Sequence, residues 1–113
     1  MSVSVIIPAL NEEGTVADVV RACLADNPLE VLVIDADSRA AVAGADVHNW
    51  RDILPVEPRP GKGESLWRGV AAAKGDIVVF VDADLESTAP GMVTALADPF
   101  ADPAVEMVKA RYR

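Results

Sequence analysis

Cysteine and histidine occur once each in this sequence, as Cys23 and His48. A lone thiol closes no internal disulfide, so a small disulfide-stapled domain is excluded. One histidine without a partner serine or a second cysteine leaves neither a hydrolytic triad nor a zinc ligand set, and His48 reads as a loop residue. Basic residues are also short, ten Lys and Arg against eighteen Asp and Glu, for a net charge of −8. Nucleic-acid binding through phosphates needs a basic face, so no such partner is expected. Aromatics make up 4% of the chain. Trp50 and Trp67 could serve as sugar platforms, but Trp67 falls in a helical pattern and reads as core. No apolar run reaches the roughly 18–20 residues of a membrane helix, and Met1 leads into Val3–Ile7 without a basic leader. Neither a span nor a signal peptide is expected, and a reducing, cytoplasmic setting is, with Cys23 a small buried side chain.

What is present suits a packed core: 51% of residues are hydrophobic and 25% charged, the balance of a globular chain rather than a disordered one. The sequence reads as one unit over residues 1–113. Three β-branched apolar runs, Val3–Ile7, Val31–Ile34 and Ile77–Val81, predict strands buried on both faces, as in a parallel sheet. Between the first two, Val16, Val19, Val20, Cys23 and Leu24 recur at helical spacing within Glu12–Ala25, with Asn11 placed to cap the start. A second helix is predicted over Glu64–Lys74, with Leu66, Val70 and Ala73 on its apolar side and Gly75 just past its end. Met92–Ala97 predicts a short helix ending before Pro99, while Asp46–Asn49 and Val105–Ala110 are candidate further strands. Alternating strands and helices give the α/β class with right-handed crossovers.

In open parallel sheets ligands bind beyond the carboxyl ends of the strands. Here those positions are polar: Pro8-Ala9-Leu10-Asn11-Glu12, Asp35-Ala36-Asp37-Ser38 and Asp82-Ala83-Asp84 are expected to converge on one edge. Asp82 and Asp84 put two hard anionic oxygens where a buried strand emerges, a donor set for Mg²⁺ or Mn²⁺ together with a diphosphate. Arg59-Pro60-Gly61-Lys62-Gly63-Glu64 places a lysine between two glycines ahead of a helix, which suits a phosphate contact. It is not a Walker loop, whose G-x-x-x-x-G-K-[ST] spacing is absent. A phosphatase of the haloacid-dehalogenase kind wants Thr or Val two places after the second Asp of its D-x-D, where Arg39 and Glu86 stand. A receiver domain wants acids after the first strand, where Pro8 and Ala9 stand.

Together, P-A-L-N-E at 8–12, R-P-G-K-G-E-S-L-W-R at 59–68, G-D-I-V-V-F-V-D-A-D-L at 75–85 and V-K-A-R-Y-R at 108–113 resemble the glucosyl-3-phosphoglycerate synthases, retaining glycosyltransferases of the Rossmann-like GT-A fold. The resemblance implies the nucleotide-binding half of such an enzyme: a parallel sheet flanked by helices, and transfer of glucose from a nucleotide-diphosphate sugar, UDP-glucose, to 3-phosphoglycerate. It implies that Pro8, Ala9, Leu10 and Glu12 hold the uridine, with Asn11 also in the donor site, Asp35 and Ala36 beside the base, and Ala36 where the family has serine. Gly61, Lys62 and Ala83 would contact the donor, Asp82 the ribose side, and Asp84, with Asp82, the metal. Family enzymes continue well beyond V-K-x-x-Y-R, so the 113 residues are expected to bind donor without transferring it and to pair as a homodimer. A nucleotide-sugar-binding or assembly module without turnover is the alternative.

Overall fold

A computed structural model describes residues 2–8, 13–34, 50–52, 62–82 and 91–108. Four parallel strands form one sheet: β1 (Val3–Pro8), β2 (Glu30–Ile34), β3 (Trp50–Asp52) and β4 (Ile77–Phe80), in the order β3-β2-β1-β4. Helix α1 (Glu13–Leu24) links β1 to β2, α2 (Lys62–Ala72) precedes β4, and α3 (Met92–Ala97) runs into a 3₁₀ turn, Asp98–Ala101. From β1 the chain steps outward to β2 and β3, then returns to place β4 on the other side of β1. With right-handed crossovers, that reversal sends the connecting helices to opposite faces.

The alternation of side chains along the strands sorts the core accordingly. Val5, Ile7, Val31, Val33, Ile77, Val79 and Val81 pack under Val16, Val19, Val20 and Cys23 of α1 and Val93 and Ala97 of α3. On the opposite face Ile6, Leu32 and Ile34 meet Val78 of β4 and Ala72 and Ala73 at the end of α2. The apolar runs of β1 and β2 are therefore continuous because both faces are covered, whereas in β4 Phe80 stays half-exposed.

Side-chain hydrogen bonds fix the amino-terminal edge of the sheet. Lys74 N donates to Glu30 Oε2 (2.6 Å), Gly75 N to Ser4 Oγ (2.8 Å) and Asp76 N to Ser2 Oγ (3.0 Å), while Ser4 Oγ donates to Glu30 Oε2 (2.6 Å). These acceptors draw three successive N–H groups away from helical carbonyls, which ends α2 at Ala72 rather than at the expected Lys74. Gly75 serves a close approach instead of a left-handed cap: a Cβ there would lie 2.7 Å from Ser4 N and 2.8 Å from Ser4 Oγ. Ser2 N and Oγ also donate to Asp76 (2.7 and 3.1 Å), and these two bonds hold the Asp76 carboxyl below its ordinary value. On the face that carries α1 and α3, Asp26 accepts from Gly91 N (2.6 Å), Val93 N (2.9 Å) and Thr94 N (3.1 Å). A carboxylate from the turn after α1 thus caps α3 in place of a residue of α3's own chain segment.

Several expectations change. The edge strand is Trp50–Asp52, whereas Asp46–Asn49 and His48 lie outside the described residues. Val105–Val108 forms no strand, and Lys109 and Ala110 lie outside the described residues. Trp67 is 68% exposed and Val70 39% exposed, so neither belongs to the core, and α2 turns Gly69 to the sheet instead.

Candidate functional site

The chain reverses its winding between β1 and β4, which makes the crevice beyond their carboxyl ends the switch point where ligands of open α/β sheets bind. Register shows what leaves from there. Pro8 pairs with Ile34, and Ile6 with Phe80. Val81 N donates to Ile6 O at 3.0 Å, so continuing the same register sets Asp82 level with Pro8. Pro8, Ile34 and Asp82 therefore form one row at the carboxyl edge. Pro8 is buried and Asp82 half-buried. Ala9, Asp35 and Ala83, the residues that follow each of these along the chain, lie outside the described residues.

Helix α2 adds a fourth component. Its carboxyl end is tied to the amino-terminal edge through Glu30 and Ser4, so its amino-terminal end points the other way. At a rise of about 1.5 Å per residue, Lys62 lies roughly 10 Å along the axis from Gly69, which sits on Ile6. Strand residues advance about 3.3 Å each, so Pro8 lies only about 7 Å beyond Ile6, and the backbone of Lys62 reaches the row and passes it. The sequence places Lys62 in a loop before a helix starting at Glu64; the structure makes it the first helical residue. Its N–H therefore belongs to the unpaired set at the helix start, a place that favours anions.

Of the residues singled out from sequence, Pro8, Lys62 and Asp82 are placed. Ala9, Leu10, Asn11, Glu12, Asp35, Ala36, Gly61, Ala83 and Asp84 lie outside the described residues. Among the described residues no group of three His, Cys, Asp or Glu could hold a metal, and no helix is long and apolar enough to cross a membrane. Cys23 is fully buried beneath α1, away from this edge, and burial, reinforced by the nearby Asp26, pushes its thiol up to about 12. Gly69, buried against Ile6, is not among the sequence candidates, although an isolated glycine inside a helical pattern is itself a signal of close packing.

Comparison with known proteins fits this architecture. A nucleotidyl transferase from Methanothermobacter superimposes with a TM-score of 0.72 at 19% identity, covering 86% of this chain and 57% of that one. The TarS 1–349 structure from Staphylococcus aureus gives 0.69 at 22% identity, over 91% of this chain and 33% of that one. At these identities the likeness establishes the fold. Glucosyl-3-phosphoglycerate synthase from Mycolicibacterium paratuberculosis is 42% identical over 99% of this chain, and the protein of that name from Mycolicibacterium smegmatis is 43% identical over 99%. A more distant one, from Petrotoga mobilis, is 36% identical. The chain spans 37% to 41% of the length of these relatives. Residues 4–113 match Glycosyl transferase family 2, and on that match, joined to a parallel sheet whose switch point gathers Pro8, Asp82 and the start of α2, the chain belongs to glycosyl transferase family 2.

Proposed function

We propose that this chain is the donor-binding part of a glycosyltransferase that moves a glucosyl unit from a nucleotide-diphosphate sugar, UDP-glucose, to the hydroxyl of 3-phosphoglycerate. The observation that carries the reading is 41–43% identity, sustained over 99% of the chain, to relatives named for that product. The switch-point geometry supports it, because a nucleotide at the carboxyl edge would meet Pro8 and Asp82 from adjacent strands and the start of α2 from above.

In this reading Pro8, Ala9, Leu10, Asn11 and Glu12 hold the uridine, and Asp35 and Ala36 flank the base. Gly61 and Lys62 meet the diphosphate, where the lysine's charge and the unpaired N–H groups at the helix start act on the same oxygens. Asp82 and Ala83 lie on the ribose side. Asp84 and Asp82 hold Mg²⁺ or Mn²⁺, for which two hard carboxylates at the end of a strand are a fitting donor set beside substrate phosphate. When bound, such an ion offsets negative charge on the departing diphosphate. The lone buried thiol accords with a reducing, cytoplasmic setting.

The test is to mix the chain with UDP-glucose, Mg²⁺ or Mn²⁺, and 3-phosphoglycerate, and to follow both nucleotide binding and UDP release. Release that requires metal and 3-phosphoglycerate supports the whole reaction. Metal-dependent binding without release narrows the chain to a donor-binding module, in line with the 37–41% of its relatives' length that it spans. No binding of UDP-glucose with either metal refutes both.

A further inference from the structure

We propose that Gly69 is a positioning residue for the diphosphate: its contact with Ile6 sets the height of α2 above the sheet and thereby the place of Lys62 and the helix start at the carboxyl edge. The inference rests on the reading above, that this helix end meets the diphosphate. Gly69 is buried against β1, and a Cβ there would overlap Ile6 Cγ2 and lie 2.9 and 3.0 Å from Ile6 Cδ1 and Cγ1. Ile6 cannot yield easily. It is fully buried, clustered with Leu32 and Ile34, and its β-branched side chain is stiff at χ1. Restoring ordinary carbon separations of about 3.5–4.0 Å therefore falls to the helix, which must rise by on the order of 1 Å at residue 69.

The rise is not shared evenly along α2. Its carboxyl end is held by the bonds from Lys74 N to Glu30 and from Gly75 N to Ser4, so the helix pivots there. Measured from Ala72, the last helical residue, at about 1.5 Å per residue, Gly69 lies roughly 4.5 Å along the axis and Lys62 roughly 15 Å, so a lift of ~1 Å at Gly69 becomes ~3 Å at Lys62. That exceeds the spread of about 0.5 Å within which N–H···O bonds form. Alanine is also the better helix former, so a loss of binding on substitution is not fraying of α2.

The test measures binding of UDP and of uridine, both in Mg²⁺, to the parent chain and to Gly69→Ala, Lys62→Ala and Gly69→Ala/Ile6→Ala, with circular dichroism as the check on folding. Gly69→Ala should lose at least tenfold in UDP affinity while uridine stays within twofold, a split that general loosening would not produce. Removing the opposing side chain in Gly69→Ala/Ile6→Ala should let the helix settle and bring UDP back to within threefold of the parent. Parent-like UDP binding by Gly69→Ala, or equal losses for UDP and uridine, overturns the inference. Where Gly69→Ala fails to fold, the double variant decides, and weak UDP binding by a folded double variant overturns it. If Lys62→Ala alone binds UDP like the parent while Gly69→Ala does not, the lysine contact is wrong and the placement of the helix start stands. Loss in Lys62→Ala without loss in Gly69→Ala has the reverse meaning.

Discussion

Replacing Ser4 by alanine should cost far more than the loss of one hydroxyl on a surface. Ser4 is fully buried in β1, and its Oγ does two things at once, accepting from Gly75 N at 2.8 Å and donating to Glu30 Oε2 at 2.6 Å. Ser4→Ala leaves the Gly75 N–H in a part-buried place without an acceptor, a penalty of about 1–3 kcal/mol. The loss on the Glu30 side is smaller, since Glu30 Oε2 keeps the Lys74 N–H at 2.6 Å and the residue is half-exposed to water. Together these give about 2–3 kcal/mol, a large part of the roughly 5–15 kcal/mol that holds a domain folded. For a chain of this size that corresponds to a fall in Tm of roughly 8–12 °C. Urea unfolding followed by circular dichroism, with the slope unchanged, measures the loss. Because Glu30 shares the same hydroxyl, Ser4→Ala/Glu30→Ala should cost about 1 kcal/mol less than the sum of the single changes. A Ser4→Ala chain within about 0.5 kcal/mol of the parent would refute the reasoning, because water or a shifted backbone would then be satisfying Gly75.

Asp84→Ala should abolish the metal-dependent part of UDP-glucose affinity and leave circular dichroism unchanged; calorimetry showing parent-like binding in Mg²⁺ would remove Asp84 from the metal site. Asp26→Ala strips α3 of a cap that serves three N–H groups and should destabilise the chain by about 0.5–2 kcal/mol in urea unfolding. Asp26→Asn, which keeps an acceptor oxygen, should recover most of that, and equal losses in the two variants would argue against capping. Cys23 holds its proton more tightly when folded, its thiol standing at about 12 against an ordinary 9.0. The folded chain thus binds more protons than the unfolded one in that interval. The stability it adds relative to Cys23→Ala should be constant below about pH 9 and decline as pH rises toward 12. Denaturant melts of both chains check this, and a parent that gains on Cys23→Ala with rising pH would contradict it. For the same reason the thiol should react with a disulfide reagent at pH 8 only when the chain is unfolded.

How far the sequence reached is clearest strand by strand. Val3–Ile7, Val31–Ile34 and Ile77–Val81 announced β1, β2 and β4 to within a residue or two, because strands in a largely covered sheet are apolar at most positions, Ser4 apart, and that pattern is local. The stripe of α1 was legible for the same reason, with Val16, Val19, Val20 and Cys23 all fully buried. Of the residues the sequence singled out for the edge, Pro8 closes β1, Asp82 follows β4 and Lys62 opens α2. Only the tertiary structure could decide the rest. The three residues of β3 include Arg51 and Asp52 and carry no apolar signature; they are a strand because β2 offers an edge. Trp67 and Val70 read as core from their spacing, yet face outward, because Gly69 lets the backbone of α2 lie directly on Ile6 and turns its bulkier neighbours away. The end of α2 and the cap of α3 come from Ser4, Glu30 and Asp26, acceptors distant in sequence that no local pattern can announce. Sequence thus determined which residues could bury surface and which could bind charge. Strand order and register, fixed by long-range hydrogen bonds and packing, decided that Pro8, Asp82 and the start of α2 stand at one edge.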